Sequence, residues 1–383
     1  MPEYLAPGAY VGERAAQPKP IEGVPASTAG FIGPCHKGSI KRAILVTSLA
    51  GFERTYGGRR RLQLDGGALM PNYTWHAVRA FFKEGGHRLY VARVPRWRAR
   101  DCENALKCLE AAEEISILAA PGSTFGNQHG GEATAIANAL LEHVERMRYR
   151  FAVLDSGPGQ SIENVRAIRA GFASTRAALY YPWVRVKDPM NGRLLSLPPS
   201  GFIAGIYARV DLARGASKPP GNEVVKLAVG LDHEVTDASL TVLNRESINS
   251  IRAFGPRDFR VSGGRTLSAD PDWKYVNVRR YFAFLEASID KGTQWAVFEP
   301  NGEPLWAKIR RAVQDFLTNE WRAGGLPGSR PEEAFFVKCD RSTMTQADLD
   351  QGRLICLVGV AVVRPAEFVI FRIGQWTADR PPF

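Results

Sequence analysis

Three consecutive pieces decide the C-terminal fold: WKYVNVRRYFAFLEASIDKG (273–292), TQWAVFEP (293–300) and NGEPLWAKIRRAVQDFLTNEWR (301–322). In the first, Tyr275, Val278, Phe282, Leu285 and Ile289 recur at helical spacing and make one apolar stripe, which Gly292 is placed to cap. The second predicts a short strand. Asn301-Gly302 is a turn, and Pro304 suits the first turn of another helix, over 305–322. On that helix Leu305, Ile309, Val313, Phe316 and Leu317 share an arc, while Lys308, Arg311, Asp315 and Arg322 share the opposite one. One side faces a core. The other is mostly basic, and is either a solvated face or a surface for an acidic partner.

Upstream, strands and helices alternate. STAGFIG (27–33), RLYVARV (88–94), ISILAAPG (115–122), RFAVLDS (150–156) and AALYYPWV (177–184) are apolar strands. RAILVTSLAGFERTYGG (42–58) is a strand and a short helix. Helices are predicted over 72–84, 101–112, 132–148 and 161–173. Continuously apolar strands separated by helices imply a mostly parallel, doubly wound sheet covered on both faces. Residues 181–222 hold six prolines around a hairpin-like excursion at Asn191-Gly192 and a helix over 201–213. Further strands are expected at 223–230, 248–254 and 259–262. The central domain is left between Ser262 and Asp272. AFFVKCD (334–340) is a strand, 347–352 a turn, and RLICLVGVAVVRP (353–365) a long strand.

Both chain ends differ from this pattern. Residues 1–22 carry Pro2, Pro7, Pro18 and Pro20 and few large apolar groups, so they read as an extended arm or a disordered tail. Within it, Tyr10-Val11 can form a short strand only against another element. At the other end Phe368 and Ile370 face one way while Val369, Phe371 and Ile373 face the other. A strand apolar on both faces yet terminal either sits inside its own sheet or pairs with another chain.

Composition narrows the classes. The chain has 383 residues, 45% hydrophobic, enough for two or three domains, or one large domain with extensions. No run is long and apolar enough for a transmembrane helix, and the first residues lack the pattern of a signal peptide, so cytoplasmic assembly is expected. The five cysteines are odd in number with no CxxC pair, which argues against a disulfide framework or zinc site and for buried free thiols. A net charge of +11 leaves nucleic acid, membrane or an acidic protein as partners. Its densest cluster, Arg93, Arg96, Arg98 and Arg100 around Trp97, has no nucleic-acid fold signature beside it and reads as a solvated loop. The Gly-rich turns APGSTFGNQHGG (120–131) and DSGPGQS (155–161) match no phosphate-binding pattern. His129-Gly130 and Asp155-Ser156-Gly157 are similar to subtilisin-type protease motifs. The order is wrong, however, and Ser342-Thr343-Met344 lacks the glycine before the serine. They read as turn residues, and no enzyme, cofactor or metal site is expected.

YVNVRRYFAFLEASIDKGTQWAVFEPNGEPLW (275–306) resembles the C-terminal domain of contractile tail sheath proteins. YLAPGAYVGE (4–13), STAGFIGPCHKG (27–38) and PPSGFIAGIYARVDLARGASKPPGN (198–222) match the same family in the same order. The resemblance implies an arm (1–22), a central subtilisin-like but non-catalytic α/β domain (23–265), an α+β C-terminal domain (266–365) and a C-terminal strand (366–383). It implies a helical homopolymer linked by arm exchange through Tyr10, Val11, Phe368, Val369, Ile370, Phe371 and Ile373. The polymer would surround an inner tube, meet baseplate and cap proteins, and contract without binding membrane or nucleic acid. Lys308, Arg311 and Arg322 would face the tube. The competing readings are a hydrolase-like enzyme on the same fold and a basic nucleic-acid-binding protein.

Overall fold

The computed structural model describes residues 20–64, 67, 69–125 and 131–367. They fold as two compact units, one of residues 23–287 and 362–367, the other of 20–22 and 288–361.

The larger unit begins with β1 (Ala29–Pro34), β2 (Ile44–Val46), α1 (Leu49–Tyr56), α2 (Tyr73–Glu84) and β3 (Leu89–Val94). It continues through α3 (Ala99–Glu110), β4 (Ile117–Ala119), α4 (Gly131–Met147), β5 (Phe151–Asp155), α5 (Ile162–Ala170) and β6 (Ala177–Tyr181). Then come β7 (Val184–Lys187), β8 (Leu194–Leu197), α6 (Ser200–Arg214), β9 (Gly230–Leu231), α7 (Asp237–Arg245), β10 (Ile248–Gly255) and β11 (Asp258–Ser262). The eight-stranded sheet has the order β11-β10-β6-β5-β4-β1-β3-β2. Its two outermost strands pair antiparallel and the inner ones parallel.

Strand alternation divides the core. Phe151, Val153, Ala178 and Tyr180 point to the face covered by α1, α2 and α6. Ala152, Leu154, Leu179 and Tyr181 point to the face covered by α3, α4, α5 and α7. This is the doubly wound sheet expected. The outer edge of β11 is already occupied: the Asn222 and Val225 amides donate to Val261 O and Phe259 O, and the Val261 amide donates to Glu223 O. β7, β8 and β9 form a separate three-stranded sheet.

Local signals explain most boundaries. Asn72 accepts from Trp75 N and Ser161 from Asn164 N, capping α2 and α5. Gly85 ends α2 at φ 114°, where a side chain would be strained. α6 is buried on nearly every side because Gly201 and Gly205 let α2 come close: a Cβ on Gly205 would lie 2.6 Å from Phe81 O and 2.7 Å from the Glu84 Cβ.

α8 (Val276–Thr293) begins in this unit and runs into the smaller one. There follow α9 (Glu303–Arg322), α10 (Pro331–Ala334), β12 (Phe335–Lys338), α11 (Gln346–Asp350) and β13 (Leu357–Val360). Leu305, Trp306, Ile309, Val313, Phe316 and Leu317 are the buried face of α9, and β12 pairs antiparallel with β13.

Several expectations are corrected. Residues 293–300 form no strand. Gln294–Ala296 is a 3₁₀ turn, and Phe298 adopts φ 70° with its ring fully exposed, which breaks any extended run. Gly292 does not end α8. It is required because the Ile21 side chain stands 2.7 Å from where its Cβ would be. The strand expected at 223–230 reduces to a bridge at Val224 and the two residues of β9. The turn at 347–352 contains α11, closed by a Thr345–Asp348 capping box. The long strand at 353–365 shortens to β13. α7, capped by Thr236, has no counterpart among the expected helices.

Candidate assembly surfaces

The exposed arc of α9 carries Lys308, Arg311 and Arg322, as its periodicity predicts. Arg311 lies 3.9 Å from Asp315 one turn on, both side chains well exposed, so this pair contributes little to stability. Its guanidinium keeps free donors for a partner.

The β12–β13 hairpin presents apolar groups outward. Phe336 is 60% and Leu357 50% exposed. Among the described residues no strand pairs with either outer edge of the hairpin. An apolar two-stranded sheet with both edges open is a template for further strands.

Beyond β13 the chain returns to the larger unit and is fastened there. Glu367 receives both Nε and Nη2 of Arg265, at 2.8 and 2.6 Å, and the Tyr275 hydroxyl at 3.1 Å. Arg265 is in turn held by Asn249 Oδ1 and Asn244 O. The Asn277 amide donates to Val363 O at 3.0 Å. Sequence reasoning does not find this clamp, because Arg265 and Glu367 are 102 residues apart. It fixes the described chain at Glu367. Tyr10, Val11, Phe368, Val369, Ile370, Phe371 and Ile373 themselves lie outside the described residues.

The other arginine cluster resolves into local pairs. Arg96 meets Asp101 at 3.1 Å and Arg98 meets Glu132 at 3.3 Å, while Glu132 also accepts the Ala99 amide that opens α3. Arg93 is bound to Cys35 O and Gly38 O. These contacts trim and cap the start of α3.

No catalytic constellation forms among the described residues. His129 lies outside them, and the Ser342 hydroxyl donates to Asp340 at 2.6 Å. Asp155, buried at the end of β5, accepts from both Ser200 N and Ser200 Oγ at 2.7 Å. It borders a mainly apolar cavity of about 340 Å³ between α4 and α5. Among the described residues no group of three or more His, Cys, Asp or Glu is placed to hold a metal ion.

Asp155 does set a pH dependence. Burial pushes its carboxyl up from 3.8 to about 7, although Ser200 and the Gly122 amide favour the charged form. The folded chain therefore keeps a proton that the unfolded chain releases near pH 4. The associated stability is fully present below that value and is lost as the pH rises to about 7, at most about 4 kcal/mol. Asp155→Asn is expected to remove this part of the decline. Denaturant midpoints of both proteins from pH 4 to 8 check it: parallel curves would show that the carboxyl does not titrate in this window.

Comparison with known proteins gives the family. Residues 98–267 match the phage tail sheath protein central domain and 268–375 the phage tail sheath C-terminal domain. A putative prophage major tail sheath protein of Pseudomonas aeruginosa is 27% identical over 273 residues, covering 69% of this chain and 66% of that protein. The tail sheath protein of Enterobacteria phage T4 is 23% identical over 269 residues, covering 62% of this chain and 39% of the T4 protein. The helical sheath of the anti-feeding prophage in its contracted state aligns at a TM-score of 0.81 and 30% identity, over 97% of this chain and all of that one. The contracted sheath of an extracellular contractile injection system aligns at 0.78 and 28%, over 99% of this chain. With consecutive sheath-domain matches and a sheath subunit spanned from end to end, the chain belongs to the phage tail sheath protein family.

Proposed function

We propose that this chain is the structural subunit of a contractile helical sheath that surrounds an inner tube and shortens to drive it through a target envelope. The observation that carries this is the likeness, over nearly the whole chain, to sheath subunits solved in the contracted state. A subunit in an anti-feeding prophage baseplate structure, similar over 98% of this chain at 29% identity, supports a place next to baseplate proteins. Contraction needs rigid bodies with contacts that repack, and two compact units suit that role. The open edges of the β12–β13 hairpin are the acceptors for strands from neighbouring copies. Residues 1–22 and those from Phe368 onward are the donors. Lys308, Arg311 and Arg322 face an acidic tube, where individually weak ion pairs can break as the lattice slides.

The test is electron microscopy of the concentrated protein. Hollow helical tubes are expected from the intact chain. Deleting residues 1–20, or separately everything from Phe368, is expected to abolish tubes while leaving circular dichroism unchanged. A chain that stays monomeric both alone and with inner tube added would end the sheath reading.

A further inference from the structure

We propose that Cys339 and Cys356 are a latent disulfide, an oxidisable cross-strand staple at the end of the β12–β13 hairpin. The register places them together. Lys338 pairs with Leu357 in the last rung of the ladder, so the next rung sets Cys339 opposite Cys356. The kind of rung follows by counting. The Ala361 amide donates to Ala334 O at 2.7 Å, which makes 334/361 a hydrogen-bonded rung. Rungs of an antiparallel pair alternate, so 336/359 and 338/357 are hydrogen-bonded, and 339/356 is not. In such a rung the Cα atoms stand about 4.5 Å apart with the side chains drawn together. That separation lies inside the roughly 4.4–6.8 Å that a disulfide spans.

Two further observations agree. A residue in a non-hydrogen-bonded rung turns its carbonyl away from its partner strand, and Cys339 O instead receives Arg310 Nη1 from α9, at 3.3 Å. Each thiol also acts on the titration of the other, as neighbouring groups do. Cys339 is buried and Cys356 half-buried, so an oxidant reaches the pair through Cys356. The remaining thiols differ: Cys35 and Cys102 are buried singly in the core of the larger unit, and Cys108 is half-buried on α3. An odd cysteine count argues against a framework of bridges. It does not argue against one reversible pair.

The chemistry balances with a small disulfide such as oxidised glutathione. The Cys356 thiolate attacks one sulfur of that disulfide, its own S–S bond to glutathione forms, and one glutathione leaves as thiolate. Cys339 then gives its proton to solvent and attacks the Cys356 sulfur, and the second glutathione leaves. Two protein thiols are oxidised and one glutathione disulfide is reduced to two glutathiones. Burial raises both thiols, Cys356 to about 12, so the exchange is slow at neutral pH and quickens as the pH rises. Closure rings residues 340–355, including α11, and ties β13 to β12 at the end where no ladder bond continues.

The experiment oxidises the full-length folded protein with glutathione disulfide at pH 7 and pH 9. It quenches with acid, unfolds, alkylates and maps peptides by mass spectrometry. A Cys339–Cys356 cross-link is expected, with Cys35, Cys102 and Cys108 alkylated and faster formation at pH 9. Cys339→Ser is expected to stop at a glutathione adduct on Cys356. Because serine at a buried site can unsettle the hairpin, Cys356→Ala is run beside it and is expected to give neither adduct nor bridge. The oxidised wild type is also expected to melt above its dithiothreitol-treated form, with no such difference in Cys356→Ala. Alkylation of all five cysteines after prolonged oxidation at pH 9, a persistent glutathione adduct in the wild type, or a bridge between other cysteines would each overturn the proposal.

Discussion

Asp211→Ala is expected to lower the stability of the larger unit by about 3–5 kcal/mol. Asp211 on α6 and Arg280 on α8 form a two-pronged pair at 3.0 and 2.6 Å, with side chains only 3% and 7% exposed. Arg280 also donates to Ala26 O at 2.9 Å and lies 4.6 Å from the Tyr207 ring centroid. Burial raises the Asp211 carboxyl above its ordinary value, and Arg280 pulls it back only in part. Removing Asp211 leaves a guanidinium in a site that water barely reaches, with one carbonyl and one ring face for company. The penalty is that of a stranded charge, so it need not equal the worth of the pair. Removing both charges separates the two quantities: Asp211→Leu with Arg280→Met is expected to recover most of the loss. Hydrogen exchange over peptides from α6 and α8, with denaturant midpoints, measures both proteins. A single variant within about 1 kcal/mol of wild type would mean that solvent reaches Arg280.

Gly205→Leu is expected to cost about 3 kcal/mol or more, and Gly205→Ala to lose stability too. The alanine variant is the sharper test because two effects oppose. Helix propensity alone favours alanine by about 1 kcal/mol in a helix interior. Against it, the new Cβ would stand 2.6 Å from a main-chain oxygen of α2 and 3.0 Å from Phe81 Cα, neither at the end of a flexible side chain. Relief requires α2 and α6 to separate along their packed length, where Gly201 meets Ala77 Cα at 2.7 Å in the same way. The clash is expected to win. Thermal unfolding decides it, since a rise in melting temperature for Gly205→Ala would show that the helices are not in close contact there.

The central sheet is legible in the sequence because its signals are local. Apolar runs such as FAVLD and AALYY are buried on both sides, and Asn72 and Ser161 mark helix starts by direct capping bonds. Periodicity also finds the buried and exposed arcs of α9. The failures share a cause: the deciding partner is distant or missing. Val297 and Phe298 look like strand residues, yet no ladder partner exists among the described residues and both side chains are exposed. Asn277, Arg279 and Arg280 are polar side chains outside the apolar stripe of α8, yet all are buried, Arg280 beside a partner 69 residues away. The Glu367 clamp is invisible for the same reason. The basic arc on α9 can be read, whereas the proposal that the two termini donate strands rests on pattern and family resemblance alone.

The strand edges of this chain can be counted as a polymer chemist counts functional groups. The large sheet offers little: its β11 edge is already bonded to 222–225, and β2 at the other edge is three residues long. Among the described residues no strand pairs with either edge of the β12–β13 hairpin, so in the proposed sheath that hairpin is bifunctional as an acceptor. Growth is then sensitive to stoichiometry. A short peptide that fills one edge would act as a chain stopper, and the mean length of the assembly would fall roughly as the inverse of its dose while every subunit stayed folded.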